Sequence, residues 1–368
     1  MHSDIHYFGT YAMARATGLR REVCQTIATA AQFVDANDKE YDIDFSDGGR
    51  LRVVPTAHPM VHIKNTTLFD RDQRMVWLPF HFLPGNEGDS LSERLICRQN
   101  SAIAREMVKH CLSMANKPFG LQLVGIAAHV YADTFSHYGF SGVSSRWNKV
   151  KGESIVLRDE VRDMAAEDRF RAKYGETMEG LENWRQTIWD RLRSGVAEGG
   201  TGALGHGAVM KYPDFPYLEW EFSYEHSEGE QRVSPRKNAD TFLEACEKLY
   251  EVFSCLGPDY QDPEIDQSGG FDRIRDVVTE ILRIRETDRD KRGAKWRSAA
   301  EEGTLFNESE EVLLNQGEAW KESLKSLHGG VKSDAASGLP VFQFFQAAAI
   351  YRSYVLRDLL PAHGLVLD

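Results

Sequence analysis

No stretch of the 368-residue chain reaches the roughly 18 consecutive apolar residues that span a bilayer, so no membrane-crossing helix is expected. Proline and glycine are scarce, 12 and 30 residues, which excludes collagen-like and broadly disordered chains. Cysteine numbers only five, scattered and without C-x-x-C spacing, and the reading is of small buried apolar residues in a reducing compartment. Positive charge is in deficit: 44 Lys and Arg against 56 Asp and Glu give a net charge of −12. A chain this acidic is a poor general binder of nucleic acid or anionic membrane, since both need basic patches that release counterions. The opening residues Met1 to Gly9 have neither a basic segment nor an apolar core, and the expectation is a cytoplasmic protein with no secretory signal. Also missing are a G-x-S-x-G elbow, a P-loop, an H-E-x-x-H helix and an adjacent His-Asp pair.

What is present is mostly helical periodicity, and the fold class is mainly α, a multi-helix bundle. Helices are expected over Tyr11–Ala16, Glu22–Phe33, Ala102–Met114, Gly120–Tyr138, Leu157–Tyr174, Glu179–Val196, Ala239–Phe253, Phe271–Ala300, Ser309–Leu327 and Val341–Leu360. Ser101 is a candidate cap for the third of these. Leu51, Val53, Val54, Val61 and Ile63 suggest short β-segments, so a small irregular or β insertion is expected near residues 50–85. The segments Gly195–Tyr217 and Tyr224–Lys237 read as irregular, the second polar and exposed. The division expected is a helical core over 1–260 and a helical extension over 261–368 packing on it, with the charged run Arg283–Arg297 as the loosest stretch.

The richest chemistry lies in Gly125 to His137, which contains H-x-x-x-D-x-x-x-H as His129, Asp133 and His137. Residues four apart drift by only about 40° around a helix, so all three share one face. The surrounding positions are small or apolar, and a stripe of two imidazoles and a carboxylate is costly to bury without a partner. Eight residues of rise separate the histidines by about 12 Å, whereas a zinc–nitrogen bond is only about 2 Å. Two ions with Asp133 between them therefore fit better than one.

Further candidate ligands are His6 and Asp4 ahead of the first helix, Asp35 at the end of the second, and His81 between Phe80 and Phe82. An acid at a helix C-terminus opposes the macrodipole, which marks Asp35 as held there by another partner. Gly200 to Gly205 matches G-x-G-x-x-G, but no βαβ pattern surrounds it and a dinucleotide site is rejected. The useful residues follow it: His206, then Asp214 on a backbone stiffened by Pro213 and Pro216. His58, His62, His110, His226, His328 and His363 read as structural or isolated.

In chain order, His6, Asp35, His81, His129, Asp133, His137, His206 and Asp214 resemble the ligand order of zinc-dependent phospholipase C and the single-strand-specific zinc nucleases. That resemblance implies an α-helical cradle for two or three zinc ions. One site would use Asp35, His81, His129 and Asp133, a second His137, His206 and Asp214, and a third His6, Asp133 and a group near the N-terminus. Those enzymes use a processed N-terminal tryptophan, for which Asp4 is the candidate substitute. The motifs Asp4-x-His6-Tyr7, Ala31-Gln32-Phe33-Val34-Asp35, Phe80-His81-Phe82-Leu83-Pro84 and Ala128 to Thr134 resemble, over most of the chain, an uncharacterised bacterial family. The expected activity is hydrolysis of a small phosphodiester or nucleotide by divalent ions, zinc first and manganese or iron as alternatives. Asp35 would orient or deprotonate the water and Arg98 would clamp phosphate. No stable nucleic-acid complex and no membrane anchor are expected. Two other readings stay open at this point: a helical binding protein with a structural metal, and an iron-dependent oxygenase.

Overall fold

A computed structural model describes residues 1–57, 73–157, 204–209, 211–225, 233–265, 269–306, 308–327 and 330–367. The longer helices are α1 (Thr10–Ala16), α2 (Arg21–Ala36), α3 (Ala102–Ser113), α4 (Gly120–Ser136), α5 (Asn238–Ser254), α6 (Asp272–Leu282), α7 (Arg289–Glu301), α8 (Gly317–Ser326) and α9 (Pro340–Tyr354). The strands are β1 (Tyr41–Asp44), β2 (Arg50–Val53), β3 (Val156–Leu157), β4 (Glu219–Ser223) and β5 (Val233–Lys237). The protein is thus mainly helical, with two small antiparallel sheets among the described residues, one of order β1-β2 and one of order β3-β4-β5. Among the described residues no helix is long and apolar enough to cross a membrane.

Helix α4 is the axis. Apart from Leu121 every residue from Gly120 to Ser136 is buried, as its all-round apolar sequence requires. It packs against α2, α3, α5 and α9. The approach of α2 is set by Gly125, where a Cβ would stand 2.4 Å from the Ile27 carbonyl oxygen and 2.6 Å from Ala30 Cβ. Only a residue without a side chain lets the two backbones meet there. This contact brings the C-terminal turn of α2, and with it Asp35, over the polar stripe of α4.

One apolar cluster runs from Ile5 through α2 and α4 to Val341, Phe344 and Leu360, so the C-terminal helices share the core of the N-terminal ones. A second, aromatic cluster holds Phe82, Phe140, Trp220 and Phe222 beside the three-stranded sheet. Helix α3 begins as its cap dictates: the Ser101 hydroxyl accepts from the Ala104 N–H.

Several boundaries differ from the sequence reading. Among the described residues the β-structure near the expected insertion is the hairpin of β1 and β2, of which β2 falls within the expected span and β1 precedes it, and Gln73–Trp77 forms a π-helical turn leading into the short helix Leu78–Phe80. His58, His62, Val61 and Ile63 lie outside the described residues, as do His226, His328 and the stretch expected as helices over 158–196. The single helix expected over Phe271–Ala300 is two, because the Asp288 carboxylate accepts from the Asp290 and Lys291 N–H groups and starts α7 afresh. Only Gly317–Ser326 of the helix expected over Ser309–Leu327 forms. The segment read as polar and exposed ends in β5, an edge strand that tolerates Pro235 because its far side needs no ladder bond. Cys24, Cys97, Cys111 and Cys246 are buried free thiols and Cys255 is exposed.

Candidate metal centre

The polar stripe of α4 is where distant parts of the chain converge. His129 and Asp133 project from its last two turns, and His137 forms its C-cap. Asp133 is the hub. Its Oδ2 lies 3.2 Å from His129 Nε2, 3.3 Å from His81 Nδ1 and 3.6 Å from His137 Nδ1. Its Oδ1 lies 3.2 Å from His6 Nε2 and accepts from the Met1 nitrogen at 2.9 Å. Asp35 Oδ1 stands 3.8 Å from His129 Nε2 and 3.9 Å from His81 Nδ1. Asp214 Oδ1 is 3.2 Å from His137 Nε2 and 3.1 Å from the Met1 nitrogen, and its Oδ2 is 3.9 Å from His206 Nε2.

Among the described residues three groups emerge whose potential ligand atoms lie within 4.8 Å of one another: His6, His129 and Asp133; Asp35, His81 and His129; and His137, His206 and Asp214. Two ligands about 2.0–2.1 Å from a tetrahedral ion stand ~3.3 Å apart, close to the separations seen. All eight residues expected as ligands fall in these groups, and His129 and His137 belong to different ones, as their axial separation requires.

The imidazoles are oriented from behind. His129 Nδ1 donates to the Ala31 carbonyl at 2.8 Å, His137 Nδ1 to the His81 carbonyl at 2.8 Å, and His81 Nε2 to the Thr56 carbonyl at 2.9 Å. A carbonyl only accepts, so each of these nitrogens carries a hydrogen and the other ring nitrogen is turned toward the carboxylates. In the neutral ring that second nitrogen offers a lone pair to a carboxylate that also offers lone pairs. Only a proton or a cation between them relieves the repulsion. His6 Nε2 faces Asp133 Oδ1 at 3.2 Å, while its buried Nδ1 has no hydrogen-bond partner. It stacks on His129 with ring centroids 3.8 Å apart, and burial together with the charge of His129 drives its pKa down to about 3. A buried imidazole with an unsatisfied nitrogen beside a carboxylate has the composition of a group that could hold a cation.

Electrostatics agree. Burial alone would raise the three carboxyl pKa values, yet Asp133 and Asp214 are held well below the usual range by the histidines and the Met1 amine. Asp35 is lowered by His129, His6 and His81 against the same burial penalty. For the Met1 amine burial works downward, but Asp133, Asp214 and Asp35 push it up to about 11. His81 is likewise raised, its burial outweighed by the bond to Asp133 and the charge of Asp35. The carboxylates of Asp133 and Asp214 are thus held ionised in a buried place by the Met1 ammonium and the surrounding imidazoles.

His6 does not precede the first helix: Asp4–Gly9 is a π-helical turn continuous with α1. Asp4 is corrected, for it is not a ligand substitute. Both its oxygens face the buried Arg292 of α7, at 2.6 and 3.1 Å. The group found beside His6 and Asp133 is the Met1 nitrogen, which no side-chain pattern can flag. The aromatic residue that fixes His137 is Phe82, stacked on it at 4.8 Å. Gly205, at a φ of +54°, gives Phe82 its room, since a Cβ there would stand 2.6 Å from that ring. The turn it makes delivers His206 to the cluster; Gly200 and Gly202 lie outside the described residues. Arg98 Nε pairs with Glu87 at 3.4 Å.

Residues 1–359 match the model of a family of unknown function, DUF6765, and the chain belongs to that family. No curated protein and no solved structure matches it.

Proposed function

We propose that the protein is a metal-dependent phosphoesterase whose ions are held by His6, Asp35, His81, His129, Asp133, His137, His206 and Asp214. The observation that carries this reading is the sharing of ligands: His129 belongs to two of the three groups and the carboxylate of Asp133 touches histidines of all three. Ions held by these groups would share His129 and the carboxylate of Asp133 and would supply the positive charge that binds a phosphate. Bound divalent ions supply Lewis acidity and lower the pKa of coordinated water. Each group offers three protein ligands, which leaves a fourth position for water or substrate, as catalytic rather than structural zinc sites do. Asp35, whose side chain is 34% exposed, is the most exposed carboxylate of the cluster, and its lowered pKa keeps it ionised, placed to orient an entering water. His6 and His129, stacked and buried, keep bulk water from the opposite side. Zinc is the first choice of ion and manganese the second, on the mixed imidazole and carboxylate donors. The ligand order supports a distant relation to zinc-dependent phospholipase C and the single-strand-specific zinc nucleases.

The test is hydrolysis of bis(p-nitrophenyl) phosphate by zinc- or manganese-loaded protein. Asp133→Ala is expected to abolish turnover, and unchanged turnover in that variant defeats the assignment. A second reading has one observation in its favour: each group is two imidazoles and one carboxylate, the donor set of non-haem iron oxygenases. Elemental analysis of the purified protein, with oxygen uptake by its iron-loaded form, separates the two.

A further inference from the structure

Helix α9 reaches the centre through backbone carbonyls. Two neighbouring side chains on it, Tyr351 and Arg352, are buried against the segments that lead to Thr56 and to His81. Arg352 Nε donates to the Met75 carbonyl at 2.7 Å, and its Nη2 donates to the Pro55 carbonyl at 2.6 Å and the Val54 carbonyl at 3.4 Å. The Tyr351 hydroxyl donates to the Pro79 carbonyl at 2.9 Å. The Met75 carbonyl lacks the usual helical donor, because the residue four positions on, Pro79, has no N–H.

The peptide joining Pro55 and Thr56 is gripped from both sides. Arg352 holds its carbonyl, and its N–H donates to the Asn37 carbonyl at 3.0 Å. The Thr56 hydroxyl donates to the Val34 carbonyl at 2.7 Å, so Thr56 is stapled to the end of α2 on either side of Asp35. The carbonyl of Thr56 accepts from His81 Nε2 at 2.9 Å, which leaves Nδ1 facing Asp133 at 3.3 Å and Asp35 at 3.9 Å. One residue therefore sets both Asp35 and His81, and α9 sets that residue together with the turn that delivers His81.

We infer that Arg352, with Tyr351 beside it, is a positioning residue for one ion of the centre, the ion held by Asp35, His81 and His129. The inference rests on the metal-centre reading and is independent of which bond the ions cleave. The guanidinium fork meets the Met75 and Pro55 carbonyls with two nitrogens at once, a geometry that the single ammonium of lysine does not reproduce. His137 leans on the same turn through the His81 carbonyl, but His206 and Asp214 come from beyond it, so their group depends on α9 only in part.

Zinc titration of the full-length chain against a chromophoric chelator tests this, with circular dichroism confirming that each variant folds. Arg352→Lys is expected to weaken one ion about tenfold, the lower end of the range for groups that orient a metal ligand from behind, and to leave another within about threefold. In Asp35→Asn, which has already given up that ion, Arg352→Lys is expected to change zinc binding no further; in Asp214→Asn its effect persists in full. If Arg352→Lys does not fold, Tyr351→Phe, which removes one hydroxyl, runs through the same two backgrounds with the same expected pattern. A side chain that merely stabilises the fold would weaken every ion and add its effect in both backgrounds. That outcome, or zinc binding unchanged in the variants, overturns the positioning role and leaves the metal centre standing. A wild type that binds no zinc overturns the centre and this inference together. One that binds zinc and cleaves no phosphodiester retains the inference and removes only the hydrolase.

Discussion

Arg292 shows how the far end of the chain governs the cluster. Its guanidinium is 2% exposed and faces both oxygens of Asp4, itself 2% exposed, while donating to the carbonyls of Glu286 and Thr287 and lying 3.2 Å from His2 Nδ1. Arg292→Ala leaves the Asp4 carboxylate buried with its counter-charge gone. Removing one partner of such a pair costs about 3–5 kcal/mol, a large part of the roughly 5–15 kcal/mol that holds a domain folded. Asp4 opens the π-helical turn that carries His6, so the same change loosens the turn that stacks His6 on His129. Urea unfolding in the presence of chelator is expected to show the full loss. The double variant Asp4→Leu with Arg292→Met, which removes both charges and keeps the volume, is expected to recover most of it. Elemental analysis of Arg292→Ala is expected to show fewer ions per chain, with the pair His137 and Asp214 still occupied. A loss below about 1 kcal/mol in the single variant, or a double variant no more stable than the single, refutes the reasoning.

Gly125→Ala forces α2 from α4, and overpacking of this kind costs about 1–3 kcal/mol; a lowered thermal midpoint with weaker zinc binding is expected, because Asp35 rides on α2. Removing ions with a chelator is expected to lower the thermal midpoint, since each ion held at a hundredfold excess over its Kd contributes about 2.7 kcal/mol; a midpoint that does not move with chelator argues that no ion is bound in the native state.

The central helix and the clustering of its candidate ligands were legible because both signals are local. Residues 120–136 are apolar or small on every face, and three titratable groups interrupt them at a spacing only a helix makes meaningful. Asp35 announced itself by standing at the wrong end of a helix dipole. The partner of Asp4 lies 288 residues away and nothing near Asp4 marks it. The Met1 nitrogen belongs to the backbone, so no residue-type argument finds it. The three-stranded sheet was missed although Glu219-Trp220-Glu221-Phe222 alternates polar and apolar with a period of two, because short strands flanked by polar loops leave a weak signal. The break between α6 and α7 was hidden by continuous charge; the cap at Asp288 was its sign.

The hub at Asp133 also bears on how the chain assembles. Its neighbours come from positions 6, 81, 129 and 137, and Asp214 joins through His137, so no contiguous segment offers a complete grip on a cation. Until its elements pack, the chain presents at most the acid and imidazoles of one helix. Ion capture would then reward only the finished topology and discriminate against misthreaded compact states, with most of its binding free energy released in the last step of assembly.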